Sequence, residues 1–172
     1  MAEILQPPVL TAMPRRRFAG LVRRYSMQAR GQIPGQWSDY NEAGVRVPGA
    51  VPDGYYGVAF NHAGDIGSFD YLCGQEVPET AALPAGFGAV AISGTYARFV
   101  TLGHISTMNA VWDEVFGIWL KRPAYLHRPG PPVEHYPPEF NGMTGEGGFE
   151  IWVPVQGRDG PFPTIQSGLC SS

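Results

Sequence analysis

The chain divides by the spacing of its apolar positions. In "GGFEIWVPVQG", Gly147 to Gly157, the residues Phe149, Ile151, Val153 and Val155 alternate, the mark of a strand with one buried face. Glu150 and Trp152 point to the other face. A solvated strand face would favour Thr, Lys or Ser there, whereas a large aromatic beside an acid can line a pocket. "ISTMNAVWDEVFGIWLKRP" places Met108, Val111, Trp112, Val115, Phe116 and Trp119 at helical spacing. Ser106 or Thr107 can cap its start, Lys121 and Arg122 suit its negative end, and Pro123 stops it. Ahead of this helix, "GFGAVAISGTYARFVTLGH" reads as a long strand with an irregularity at Ser93 and Gly94. Behind it, a Pro-rich connection leads to a strand in "VEHYPPE" and then to "FEIWVPV". The second half is therefore β-α-β-β.

The first half repeats that order. "RRFAGLVRRYS" resembles "GTYARFVTLGH", with Phe18 against Tyr96, Ala19 against Ala97 and Val22 against Val100. "SFDYLCG" resembles "GFEIWVP", with Phe69 against Phe149 and Asp70 against Glu150. Between them lie a short helix in "QIPGQWSDYNEAG", with Pro34 in its first turn and Trp37 and Tyr40 three apart, and a strand in "GYYGVAFN". The expected fold is α+β: one domain of tandem duplicated βαββ modules with pseudo-two-fold symmetry. The first half runs from about 8 to 80 and the second from about 85 to 157, followed by a tail at 158–172. The seam between paired halves is a natural place for a ligand cleft.

Composition narrows the chemistry. A net charge of -3 gives no general attraction to nucleic acid. Arg15, Arg16, Arg17, Arg23 and Arg24 cluster, but without interleaved aromatics or a reading helix they read as a solvated strand face. His62, His104, His127 and His135 lack paired-ligand spacing, so neither a metal nor a cofactor is expected. Of the two cysteines, Cys73 reads as a small core residue, and Cys170 lies in the polar tail; a reducing compartment fits them. The opening residues lack the apolar core of a signal peptide, and no apolar run approaches the ~18 residues of a membrane span. A cytoplasmic protein without membrane contact is the expectation.

Taken in order, "YYGV", "FDYLCGQEV" with "LPAGF", "GTYARFVTLGH", "VWDEVFGIWL", "VEHYPPEF" and "FEIWVPV" resemble the GyrI-like small-molecule-binding domains. These are also called bacterial transcription activator effector-binding domains, and they are similar to the ligand domains of AraC-type and MerR-type multidrug regulators. The resemblance runs from about Pro8 to Val155. It implies two βαββ modules with a cleft that binds bulky aromatic or cationic compounds. It places Glu134 and Tyr136, Trp152, Trp37, and Met108 with Trp112 in that cleft. No helix-turn-helix precedes the first strand, so a direct DNA-binding role is not expected.

The residues themselves support part of this assignment. A carboxylate among aromatic rings can meet a delocalised cation, and the ring faces add cation–π attraction. Glu134 is the candidate for the deep acid, with Glu150 secondary at the rim. Tyr56 and Phe60 share one parity of their strand and can face the cleft; Tyr71 shares the parity of Phe69 and Cys73 and reads as core, as does Trp119. The leading function is a standalone binder of hydrophobic, aromatic or cationic compounds, in the manner of multidrug or toxin binding. An alternative is a hydrolase of cyclopropane-bearing alkylating compounds, with Glu134 as general base. A further alternative is an interaction with an unidentified partner protein, such as modulation of gyrase.

Overall fold

The computed structural model describes residues 5–63 and 67–156. Cys170 and the expected tail lie outside the described residues. The chain forms β1 (Val9–Ser26), α1 (Ile33–Ala43), β2 (Tyr55–Ala63), β3 (Ser68–Val77), β4 (Phe87–Thr101), α2 (Met108–Gly117), β5 (Leu126–His127), β6 (Val133–Tyr136) and β7 (Phe149–Gln156). The fold is α+β, a mostly antiparallel sheet with two α-helices. Pro34 lies in the first turn of α1, and Gly44 closes it in the left-handed region at φ 66°. The second helix differs from the expectation at both ends. It stops at Gly117 rather than running to Pro123, because Ile118 leaves helical geometry, and a 3-10 turn at Trp119–Lys121 follows. At its start the helix is preceded by a 3-10 turn, capped by the His104 side chain accepting from Ser106 N rather than by Ser106 or Thr107.

The strands run in the order β4-β1-β3-β2-β6-β7-β5, and β4 also pairs with β7, so six strands close on themselves. Closure gives the sheet an inside and an outside. Every one of the six sends side chains inward: Met13 and Phe18 from β1, Tyr56 and Val58 from β2, Leu72 from β3, Ile92 and Tyr96 from β4, Val133 from β6 and Trp152 from β7. The outer faces are covered by the helices. Tyr40 of α1 packs on Tyr25, Phe69, Tyr71 and Cys73, while Val111 and Val115 of α2 pack on Phe99, Phe149, Ile151 and Val153. Cys73 and Trp119 are buried, as expected. The curvature is tight where Gly20 faces Gly74 on one side and Gly88 on the other. A Cβ at Gly20 would stand 2.0 Å from the Cys73 carbonyl oxygen, so the strands can approach this closely only through glycine.

The irregularity expected at Ser93 and Gly94 is present. The β1–β4 register shifts between Met13 and Arg16, where Pro14 supplies no ladder N–H. The two halves share the order β-α-β-β, apart from the added β5. The pairing is unchanged when β1 is exchanged with β4, β3 with β7 and β2 with β6. The registers alter one detail of the sequence comparison. Phe18 opposes Glu76 as Tyr96 opposes Pro154, so the spacing between Phe18 and Tyr96 carries over to the next strands and brings Tyr71, not Phe69, to the place of Phe149. The shift is two residues, which keeps every side chain on its expected face.

The arginines of β1 are held within the molecule. Arg15 pairs with Glu79, Arg16 with Glu76, Arg23 with Asp39 and Arg24 with Asp70, while Arg17 donates to the carbonyls of Pro78, Glu79 and Ala81. No helix among the described residues is long and apolar enough to cross a membrane.

Glu150 answers the question raised by its neighbour Trp152. Arg98 donates to it through Nε at 3.2 Å and Nη2 at 2.8 Å, Trp152 Nε1 donates as well, and His135 Nδ1 stands 3.7 Å away. Burial alone would raise its pKa, but the interactions with His135, Trp152 and Arg98 outweigh burial and bring it down to about 2. The unfolded chain therefore takes up the proton first. Glu150 contributes stability that is complete above its ordinary value of 4.5 and is lost as the pH falls towards about 2. Thermal melts across that range should show the advantage of wild type over Glu150→Gln shrinking as the pH falls; a constant difference would refute this linkage.

Candidate functional site

Glu134 is the centre of the second polar group, on the outer face of the sheet. It opposes Gly57 directly in the β2–β6 pair. Because Gly57 has no side chain, the space beside it is filled by two neighbours: a Cβ there would lie 2.0 Å from Tyr71 Oη and 3.0 Å from Glu134 Oε2. Tyr71 Oη donates to Glu134 Oε2 at 2.9 Å, and Tyr136 Oη donates to the same oxygen at 2.8 Å. The Trp112 side chain also favours the charged form of Glu134. Tyr71 in turn accepts from Trp37 Nε1 at 3.0 Å. Thus α1 reaches the carboxylate through Trp37 and Tyr71, and α2 reaches it through Trp112.

The surrounding wall is aromatic. The Trp37 and Tyr136 rings meet edge to face at 5.4 Å, and Phe140 lies 4.9 Å from Tyr136. Glu134 is half-buried among these side chains. Burial raises its pKa, opposed by the interactions with Tyr136, Tyr71 and Trp112. Burial also raises Tyr71 and Tyr136 well above the usual tyrosine value, with the Glu134 charge adding to it, so both remain protonated donors. Among the described residues only neutral donors hold this carboxylate, whereas Glu150 has Arg98.

The structure brings together Glu134, Tyr136, Trp37 and Trp112, with Met108 packed in the same α2-side cluster as Trp112 and Tyr136. The other four candidates lie on the opposite face. Trp152 opposes Val133, one residue out of phase with Glu134, and so points inside the closed sheet. Tyr56 is fully buried there, its ring stacked on His135 at 4.4 Å and its hydroxyl donating to Asp53 Oδ2 at 2.7 Å. Phe60 packs against the same interior cluster. Glu150 meets Arg98 beside Trp152. Strand alternation separates these four from Glu134, which corrects the expectation of one shared cleft.

Tyr71 is buried in the core, as expected, and has a further role. Its ring is buried, but its hydroxyl is a central link of the group around Glu134. A signal was available in the sequence, since a tyrosine on a buried face requires a partner for its hydroxyl. Its counterpart Phe149 carries no such requirement.

A family model for integron-associated effector binding proteins, Cass2, matches residues 10–155. The chain belongs to this family. No curated protein matches it. Solved structures show the same fold. One is SAV2435 bound to tetraphenylphosphonium, with TM-score 0.68 and 20% identity, covering 88% of this chain and 95% of that one. Another is the integron cassette protein VCH_CASS2 of Vibrio cholerae, with TM-score 0.66 and 16% identity over 88% of this chain and 97% of that one. The EcmrR C-terminal domain matches with TM-score 0.57 and 15% identity, over 90% and 99%. The GyrI-like resemblance and the fold it implies are thereby borne out.

Two substitutions separate the faces. Tyr71→Phe leaves both Trp37 Nε1 and Glu134 short of a partner and should destabilise by about 1–3 kcal/mol in denaturant unfolding. Trp152→Ala removes an interior side chain and should cost about 3–5 kcal/mol, without changing any contact to Glu134. If Tyr71→Phe were neutral, the hydrogen-bonded group would have no energetic weight.

Proposed function

We propose that this effector-binding protein takes aromatic or hydrophobic cations, with Glu134 meeting the charge and Trp37, Trp112, Tyr71, Tyr136 and Met108 forming the surroundings. The observation that carries this reading is the half-buried carboxylate held, among the described residues, only by uncharged donors. A carboxylate withdrawn from water without a counter-charge is costly, and here the cost appears as a raised pKa. A cation beside it would remove that cost, while aromatic faces attract the same charge. The tetraphenylphosphonium bound to SAV2435, a structure of the same fold, belongs to this chemical class.

Tetraphenylphosphonium should therefore bind and alter the fluorescence of Trp37 and Trp112. Glu134→Gln should weaken it by about tenfold or more, beyond the ~0–1 kcal/mol of an exposed charge pair, and should weaken a neutral analogue of the same shape less. The phosphonium charge does not titrate, so pH acts through the protein. Affinity should fall as the pH drops through the Glu134 pKa, and this fall should begin above the ordinary value of 4.5, because burial has raised it. Equal losses for cation and neutral analogue, together with a flat pH profile in wild type, would remove Glu134 as the charge contact.

A further inference from the structure

We propose that Gln36 is a positioning residue for the Glu134 site: its buried carboxamide fixes α1 on the sheet at the level where Trp37 Nε1 meets the Tyr71 hydroxyl. This rests on the cation reading above and adds the residue that sets the geometry of that site.

Gln36 is fully buried, on a helix whose other contacts with the sheet are aromatic and apolar. Its Nε2 donates to the carbonyl oxygens of Leu21 at 2.8 Å and Tyr71 at 2.9 Å, and its Oε1 accepts from Tyr25 Oη at 2.8 Å. Carbonyls only accept, so these partners fix which way the amide faces and use both of its N–H groups. The carboxamide thus ties α1 to β1 and β3 together. The next residue on the helix is Trp37, which donates to Tyr71 Oη at 3.0 Å. Successive residues of α1 therefore grip Tyr71 at both ends, Gln36 at its carbonyl and Trp37 at its hydroxyl.

The second grip depends on the first. A shift of α1 by about 0.6 Å would stretch the 3.0 Å contact of Trp37 to about 3.6 Å, where no hydrogen bond remains. The pair that Asp39 of α1 makes with Arg23 is exposed, so it holds the helix only weakly. While Trp37 occupies a lone pair of Tyr71 Oη, the single hydroxyl proton is directed to Glu134 at 2.9 Å, and the two bonds strengthen each other. Without Trp37 in place the hydroxyl is free to turn, and the edge-to-face contact of Trp37 with Tyr136 is lost as well. Gln36 acts through Trp37 and Tyr71 rather than by meeting the ligand.

The test is nuclear magnetic resonance of the full chain carrying isotope-labelled tryptophan, with Trp37→Phe identifying the Trp37 indole resonance, followed by calorimetric titration with tetraphenylphosphonium. Gln36→Met keeps the length of the side chain and removes both donors. Its Trp37 indole proton should move upfield and exchange faster with solvent, while those of Trp119 and Trp152 hold their places. Tetraphenylphosphonium should bind this variant about fivefold or more weakly. Asp39→Asn, which breaks the exposed pair, should change neither readout. Should Gln36→Met not fold, Gln36→Glu is the second variant: it keeps the shape, offers at most one donor to the two carbonyls, and should show both changes. A folded variant whose Trp37 resonance stays in place overturns the positioning role. So does one whose Trp37 resonance moves while phosphonium affinity remains that of wild type, and so does one in which all the indole resonances move alike, as a general loosening would cause. If wild type binds no phosphonium, the cation reading fails, and the Trp37 resonance still decides whether Gln36 sets the place of Trp37.

Discussion

Among the described residues the negative charge of Glu134 has no cation beside it, and the local architecture is arranged around that requirement. Two phenols donate to it, Tyr71 from β3 and Tyr136 from β6, and Trp112 of α2 favours its charged form. Trp37 adds α1 through the Tyr71 hydroxyl. Each donor is neutral, so the charge is dispersed over hydrogen bonds rather than cancelled. The helices on the outer face are thereby tied to one carboxylate between them, and the group depends on Gly57 having no side chain.

The closed sheet explains why this chemistry stays on one side. Alternation along β6 sends Val133 and His135 to the inside and Glu134 and Tyr136 to the outside. Inside, the rings of Tyr56, His135 and Trp152 pack against one another, and Arg98 completes Glu150. That arrangement is satisfied internally and leaves Glu150 strongly acidic. Outside, the raised pKa of Glu134 marks a charge whose compensation is incomplete. The environment, rather than the residue type, separates a structural acid from a candidate ligand acid.

Much of the fold was legible in the sequence because it rests on local patterns. Alternation identified β7 and β3, the helical stripe identified α2, and Pro34 marked the first turn of α1. The ends of α2 were less legible, since Gly117 and Ile118 end the regular turns before any proline does. The site was legible where its residues are close in sequence, as Glu134 and Tyr136 are. It was not legible where closure decides the outcome. The parity of "FEIWVPV" correctly places Glu150 and Trp152 on one face, but parity does not say that this face turns inward. That follows only from the β4–β7 pairing, a contact between distant segments. Tyr71 was correctly read as core, but the partner of its hydroxyl was not legible for a related reason, because it lies two strands away in space.

The pairing of the halves is symmetrical, yet the chemistry at their seam is not. Gly57 and Glu134 face each other across β2 and β6, strands that exchange when the halves are exchanged. An acid at both positions would set two carboxylates side by side in partly buried surroundings, where like charges repel and at least one would be held protonated. A glycine at one position avoids this and opens the space that Tyr71 enters. The first half thus contributes room and two hydrogen-bonding aromatics, Tyr71 and Trp37, and the second contributes the charge with Tyr136 and Trp112. A pairing framework common to both halves can therefore hold a single charged centre only because its two sides differ at the seam.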